Sequence, residues 1–376
     1  MIAPLHEVLM TIVLGVHLLA MNMACAGPIL CIRLHGRESD DLELRKTLGL
    51  SLAWLTAASL LLGIFTGLAL LLLGPFSTYT PALQRFPPRA YWFAGAELVF
   101  SLVCLLLYAS RFKAMWNRRW LHALIGLLSS TNLLYHFPPL MGVIGKLIAD
   151  PSWASGKTIQ RSALFQLMLN TEILALTTHF ALASLAVAGV ALLWILVPRT
   201  IVTVDQPVRR IARGAAIVAL ISTLMQLPVG IWLTTTLPPL SRGALLGDEV
   251  FSSLLFLCGI LTTFYLLQQL GIVALGEFQH RHLVRTCWLL VALVLLMTAV
   301  ARNSRSSLSA LDKSREQRKT ALEHFAEGGL VNGPGSSVLL LPPPHGGVER
   351  PRFIGRAAFN SPKLLRTNHI VMLTSS

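Results

Sequence analysis

The sequence predicts an all-α integral membrane protein of about eight transmembrane helices, and three observations predict it. Of its 376 residues, 54% are apolar and only 13% charged, with a mean hydropathy of +0.65, a balance that soluble domains rarely reach. About 20 apolar residues cross a hydrocarbon core, and eight runs of at least roughly that length follow one another up to residue 301. Lys and Arg also alternate in density from loop to loop, as they do when a chain weaves across a bilayer.

The first run, Glu7 to Ile32, follows a stretch without Lys or Arg and is too long for a signal-peptide core, so this helix is expected to be retained. The second, Leu48 to Gly74, contains Gly63 and Gly67, small residues that let helices or a flat macrocycle approach closely. Ala90 to Phe112 is the third and carries Gly95 and Glu97; Trp120 to Gly145 is the fourth and carries His122, Gly126 and His136. Pro138 and Pro139 disturb that helix close to His136. The fifth run, Glu172 to Pro198, holds His179 and Gly189, and the sixth, Ile211 to Leu237, holds Met225, Pro228 and Gly230. Val250 to Gly276 and Leu283 to Ala301 complete the set.

Residues 302–376 differ in kind. They contain "NGPGSS" and "LPPPHGG" among scattered Arg and Lys, with no sustained period. The chain therefore reads as a transmembrane domain over 1–301 and a basic, disordered tail over 302–376.

Basic residues crowd the loops after the odd-numbered runs, as Arg33, Arg37, Arg45 and Lys46 do after the first and Arg199, Arg209, Arg210 and Arg213 after the fifth. They are sparse after the even-numbered ones, where Arg89, Arg161 and Arg242 stand. Cytoplasmic loops carry the excess, so a multi-pass protein of the plasma or inner membrane with its N-terminus outside is expected. Eight crossings put the tail outside as well, despite its basic excess; a missed or extra crossing is the alternative. That excess suits anionic lipid or an acidic carrier such as a small cytochrome c, and no nucleic-acid partner is expected. Trp92, Trp116, Trp120 and Trp153 lie near run ends like an aromatic belt. Cys25, Cys31, Cys104, Cys258 and Cys287 match no zinc, disulfide or c-type haem spacing, and packing is their expected role.

His17, His136 and His179 are the informative residues. An imidazole in hydrocarbon needs a partner, and the predicted orientation puts all three in the outer half of the membrane, His17 about 15 Å along its helix at 1.5 Å per residue. Glu97 falls at a similar depth, so these four are expected around one cavity, with non-covalent haem as the partner. His136 reads equally as a structural residue bonded to a neighbouring carbonyl. His122 sits at the start of the fourth run and reads as interfacial, bonded to lipid or water. Its fourteen-residue separation from His136 is also the spacing with which four-helix b-type cytochromes stack two haems on one helix face.

From Glu7 to Gly276 the chain resembles subunit I of the cytochrome bd-type quinol oxidases. His17 in "GVHLLAMNMACAGPIL" is similar to that family's first-helix histidine, which ligates a high-spin haem, and Glu97 in "AGAELVFSLVCLLLY" resembles a third-helix acid associated with proton delivery. "HALIGLLSSTNLLYHFPPLMGVIGKLIADP" resembles the family's fourth-helix stretch, and His179 in "THFALASLAVAGVALLWIL" resembles the fifth-helix axial ligand of the low-spin haem b. The resemblance implies haem b, electron transfer in a respiratory chain, an oxidoreductase subunit of terminal-oxidase type that binds or reduces oxygen, and a partner subunit or electron carrier.

Departures limit what it implies. The quinol-oxidising loop between the sixth and seventh helices is reduced to "PPLSRGALLGDE", the GRQPW signature and the acidic ligand of the last helix are absent, and Leu254 stands near the expected methionine. Met225 and His136 are the candidates to replace that methionine, and Met225 reads equally as packing. The rival reading is a non-redox transporter or channel whose buried His and Glu bind protons or solute.

Overall fold

A computed structural model of the chain describes residues 2–35, 41–74, 76–149, 158–200 and 205–328. The elements in it are helical throughout. Runs of Leu, Ala, Ile and Val spanning more than five turns satisfy every backbone group internally, which is what a bilayer demands.

Helix α1 (Ile2–Leu34) is followed by α2 (Leu42–Leu73), the short α3 (Phe76–Leu83), α4 (Pro88–Met115) and α5 (Arg119–Ala149). Then come the short α6 (Arg161–Met168), α7 (Thr171–Leu196) with a 3-10 turn at Val197–Thr200, and α8 (Gln206–Thr236). Helix α9 (Pro239–Gly243) leads through a π turn at Ala244–Asp248 into α10 (Val250–Leu275), and α11 (His280–Gly328) ends the described chain. Each of the eight apolar runs lies on one long helix.

Seven of those helices are long and apolar enough to cross a membrane. The eighth, α5, has the length at 31 residues but is more polar, because His122, Ser129, Ser130, Thr131, Asn132 and His136 interrupt its apolar sequence. Pro138 and Pro139 leave it helical, although the carbonyls of Leu134 and Tyr135 lose their N–H partners. The chain is a multi-pass all-α membrane bundle. The last helix departs from expectation: it continues past Ala301 to Gly328, so the first part of the tail read as disordered is helix. The segments "NGPGSS" and "LPPPHGG" lie outside the described residues.

Contacts divide the chain at Lys319, and the bundle is the first unit, Met1–Lys319; of the second, only Thr320–Gly328 is described, as helix. Within the bundle α1 packs on α2, α5 and α7, α7 also on α5 and α8, α8 on α10, and α4 on α2 and α5. Helix α11 joins through Leu283, Cys287 and Leu290, which share a core with Val187 and Val190 of α7. Close approach is built on small residues: a Cβ at Gly189 would stand 2.9 Å from the Ala215 carbonyl oxygen of α8. An ion pair between Glu7 and Arg302 sets the start of α1 beside the point where the last apolar run ends.

Core packing is uneven along the membrane axis. The main core draws on Leu30 and Leu34, Leu48 and Leu52, Tyr108 and Phe112, Leu193 and Leu196, Ile211 and Ala215, and Leu270 and Val273. These lie toward the end where Arg33, Arg45 and Arg210 stand. Toward the opposite end burial thins in two helices, with no residue of α8 after Thr223 buried and none of α2 after Gly63, while Ala82, Phe86, Val143, Leu147, Ile159 and Ile173 form a separate core where α3, α5, α6 and α7 meet. Phe65, Leu68, Val99 and Phe100 are exposed there, the arrangement of a lipid-facing surface.

Candidate functional site

The half away from the arginine-rich end contains His17, Glu97, His136 and His179. A smaller core there is made of Ala24, Cys25, Ala57, Leu60, Leu105 and Leu133, with Met21, Ile64, Leu98, Phe137 and Phe180 packed against it. Three of those side chains are chain neighbours of the candidates: Leu98 follows Glu97, Phe137 follows His136 and Phe180 follows His179. Helices α1, α2, α4, α5 and α7 converge on this small core. Among the described residues no hydrogen bond or ion pair joins the four candidate side chains to one another.

The tautomer of His17 follows from its bonds. Its Nδ1 lies 2.9 Å from the Gly63 carbonyl oxygen and 3.3 Å from the Thr66 hydroxyl, and that hydroxyl donates to the Leu62 carbonyl at 2.7 Å. A carbonyl oxygen only accepts, so Nδ1 carries the proton and the neutral ring keeps a lone pair on Nε2. Metal-ligating histidines are commonly oriented in this way by a carbonyl behind them. Gly67 leaves the ring its place, since a Cβ there would come within 3.0 Å of His17 Cε1.

The ring of His179 is less anchored. Its Nδ1 is buried without a hydrogen-bond partner, as is the hydroxyl of Thr177 two residues earlier. His136 is half-buried, its Nδ1 3.1 Å from the Asn132 carbonyl and its ring edge-on to Tyr135. Asn132 also donates to the Glu97 backbone carbonyl at 3.1 Å and to Ser101 Oγ at 2.8 Å, tying α5 to α4. A second polar clasp, from Ser184 Oγ to Asn22 Oδ1 at 2.7 Å, ties α7 to α1. The sequence reading did not single out either clasp, although Asn in an apolar run is itself a signal.

Other candidates lie elsewhere. Met225 is 44% exposed on α8, and Leu254 is 55% exposed on α10. His122 is not interfacial: it is fully buried, its Nδ1 3.3 Å from the Tyr108 hydroxyl. His35, Phe112 and Trp116 surround its ring. This aromatic cluster, with the His35 ring stacked on Trp116 at 4.2 Å, escaped the sequence reading because its members come from three separate places in the chain. It also takes Trp116 out of the aromatic belt, at 5% exposure, whereas Trp92 and Trp120 are exposed; Trp153 lies outside the described residues. Burial, reinforced by the positive charge of Arg119 and opposed by a hydrogen bond with the Trp116 backbone, holds His35 below its ordinary pKa. All five cysteines are free, and four of them are buried.

Among the described residues no group of three or more His, Cys, Asp or Glu side chains is placed to hold a bare metal ion. Haem asks less of a protein, because the porphyrin fills four positions and the chain supplies one or two axial donors. A carbonyl-anchored His17 and a buried, unpartnered His179 nitrogen fit that demand. No family model matches the chain, and no curated protein matches it at a significant level.

Proposed function

We propose that this chain holds b-type haem non-covalently between its helices and carries electrons through it in a respiratory membrane, on a plan similar to subunit I of the bd-type oxidases. The observation that carries the reading is His17: its Nδ1–H is fixed by Gly63 and Thr66, which leaves its Nε2 lone pair available. His179, from α7, would hold a low-spin haem. Of the two residues offered as its second donor, the exposure of Met225 favours His136, whose neighbour Phe137 packs in the same small core as Phe180. Bound haem supplies a one-electron ferric/ferrous couple and, where an axial position stays open, a site for a diatomic gas.

The chain's own residues orient the imidazoles, exclude water through Leu133, Phe137 and Phe180, and supply Glu97 as a proton relay. Electrons come from a partner subunit or a small carrier protein such as a cytochrome c. Absorption spectra of the purified chain, oxidised and dithionite-reduced, test the proposal: a Soret band and a reduced α-band are expected, and acid-acetone should extract the pigment. Folded but colourless protein from haem-replete cells would move the reading to proton or solute transport.

A further inference from the structure

At the arginine-rich end, a cleft of about 250 Å³ opens between α1, α2, α7 and α8. Leu30, Leu192 and Ile211 form part of its apolar lining, and Arg33, Arg45 and Arg210 supply its charge. Asp41, whose side chain is 2% exposed, is the only carboxylate paired with these arginines among the described residues. Its Oδ2 lies 3.3 Å from Arg210 Nη1 and 3.9 Å from Arg45 Nη2. Arg45 Nη1 reaches the Leu34 carbonyl at 3.5 Å. Its Nε is buried with no partner, an N–H left unmade beside the cleft. Glu38 and Asp40 lie outside the described residues and take no part in this count.

Among the described residues, three guanidinium groups stand around this apolar-lined cleft and one carboxylate, Asp41, pairs with two of them. A buried, unpaired N–H on an arginine is costly. Guanidinium forks match phosphate oxygens in geometry as well as charge, and basic pockets between transmembrane helices bind anionic headgroups. We infer that this cleft binds a phosphate group, presented either by an anionic phospholipid headgroup or as free phosphate. The site is independent of haem, which lies toward the other end of the bundle in the proposed function.

The test uses the full chain, purified and delipidated in a neutral detergent. Phosphatidylglycerol, phosphatidylcholine and inorganic phosphate are added separately, with binding read by native mass spectrometry and by the shift in thermal midpoint. Phosphatidylglycerol should bind and raise the midpoint where phosphatidylcholine does not. A matching shift from millimolar inorganic phosphate, with competition against the lipid, assigns the site to free phosphate; no shift assigns it to the headgroup. Each arginine near a surface phosphate is worth about fivefold, so Arg33→Gln should weaken binding about fivefold and Arg33→Gln with Arg210→Gln about 25-fold. Both side chains are exposed, and circular dichroism checks that the variants stay folded. Arg89→Gln, outside the cleft, should change nothing. Equal binding of the two lipids with no phosphate effect, or unchanged affinity in the folded double variant, overturns the inference.

Discussion

His17 and His179 differ in their support, and that difference predicts different phenotypes. His17 is held by α2, so His17→Ala removes one hydrogen bond to a carbonyl that Thr66 also approaches, at 3.2 Å; the fold should survive. If its iron keeps an open position, carbon monoxide should shift the reduced Soret band of the wild type, and His17→Ala should abolish the shift. His179→Ala should remove or broaden the sharp reduced α-band at unchanged helicity. An unaltered spectrum would return His179 to a structural role. At the other end, His35 makes a prediction in pH. Its folded pKa is depressed, so the unfolded chain takes up the proton first as pH falls. The stability it contributes is complete above about pH 6.5 and is lost progressively below that, through its lowered folded value. His35→Gln should flatten that part of a plot of thermal midpoint against pH, and an unchanged slope would remove His35 as its source.

Helices α7 and α8 show what small residues do at the level of the element. Gly189 lets the α8 backbone approach to within 2.9 Å of where a Cβ would stand, at Ala215 O. Gly189→Leu should therefore destabilise the bundle by about 1–3 kcal/mol, as overpacking does, measured by thermal or SDS unfolding. Gly95 of α4 has nothing within 4 Å of a built Cβ. Gly95→Ala should be neutral or stabilising by up to about 1 kcal/mol through helix propensity, and a loss as large as that at Gly189 would show a packing partner there. Helix α5 is the long helix whose apolar sequence is interrupted midway, and its polar groups are used: Asn132 clasps α4, His122 closes the aromatic cluster, and Lys146 pairs with Glu172 of α7.

The bundle has its largest core toward the arginine-rich end and two smaller cores toward the other. At that other end the connection between α8 and α10 is short, a single-turn α9 and a π turn within Pro239–Asp248. A bd-type quinol site needs a longer loop, so the isolated chain should show no appreciable quinol-dependent oxygen uptake. Measurable uptake at an oxygen electrode would mean that quinol is oxidised elsewhere on the molecule.

Most of the architecture was legible in the residues alone. Apolar runs of more than twenty residues specify spanning helices because backbone polar groups have no other partner in hydrocarbon, and all eight lie on helices in the structure. The same patterning placed His17, Glu97, His136 and His179 in one half, since depth follows from position along a helix. Sequence could not say what each imidazole touches. The Gly63 carbonyl that sets the His17 tautomer lies 46 residues away, and Asp41 meets Arg210 across 169. It misread His122 because proximity to a helix end sets depth but not which way a side chain faces. Tyr108, 14 residues earlier on α4, turns that ring inward, and only the packing of α1, α4 and α5 against one another could decide it.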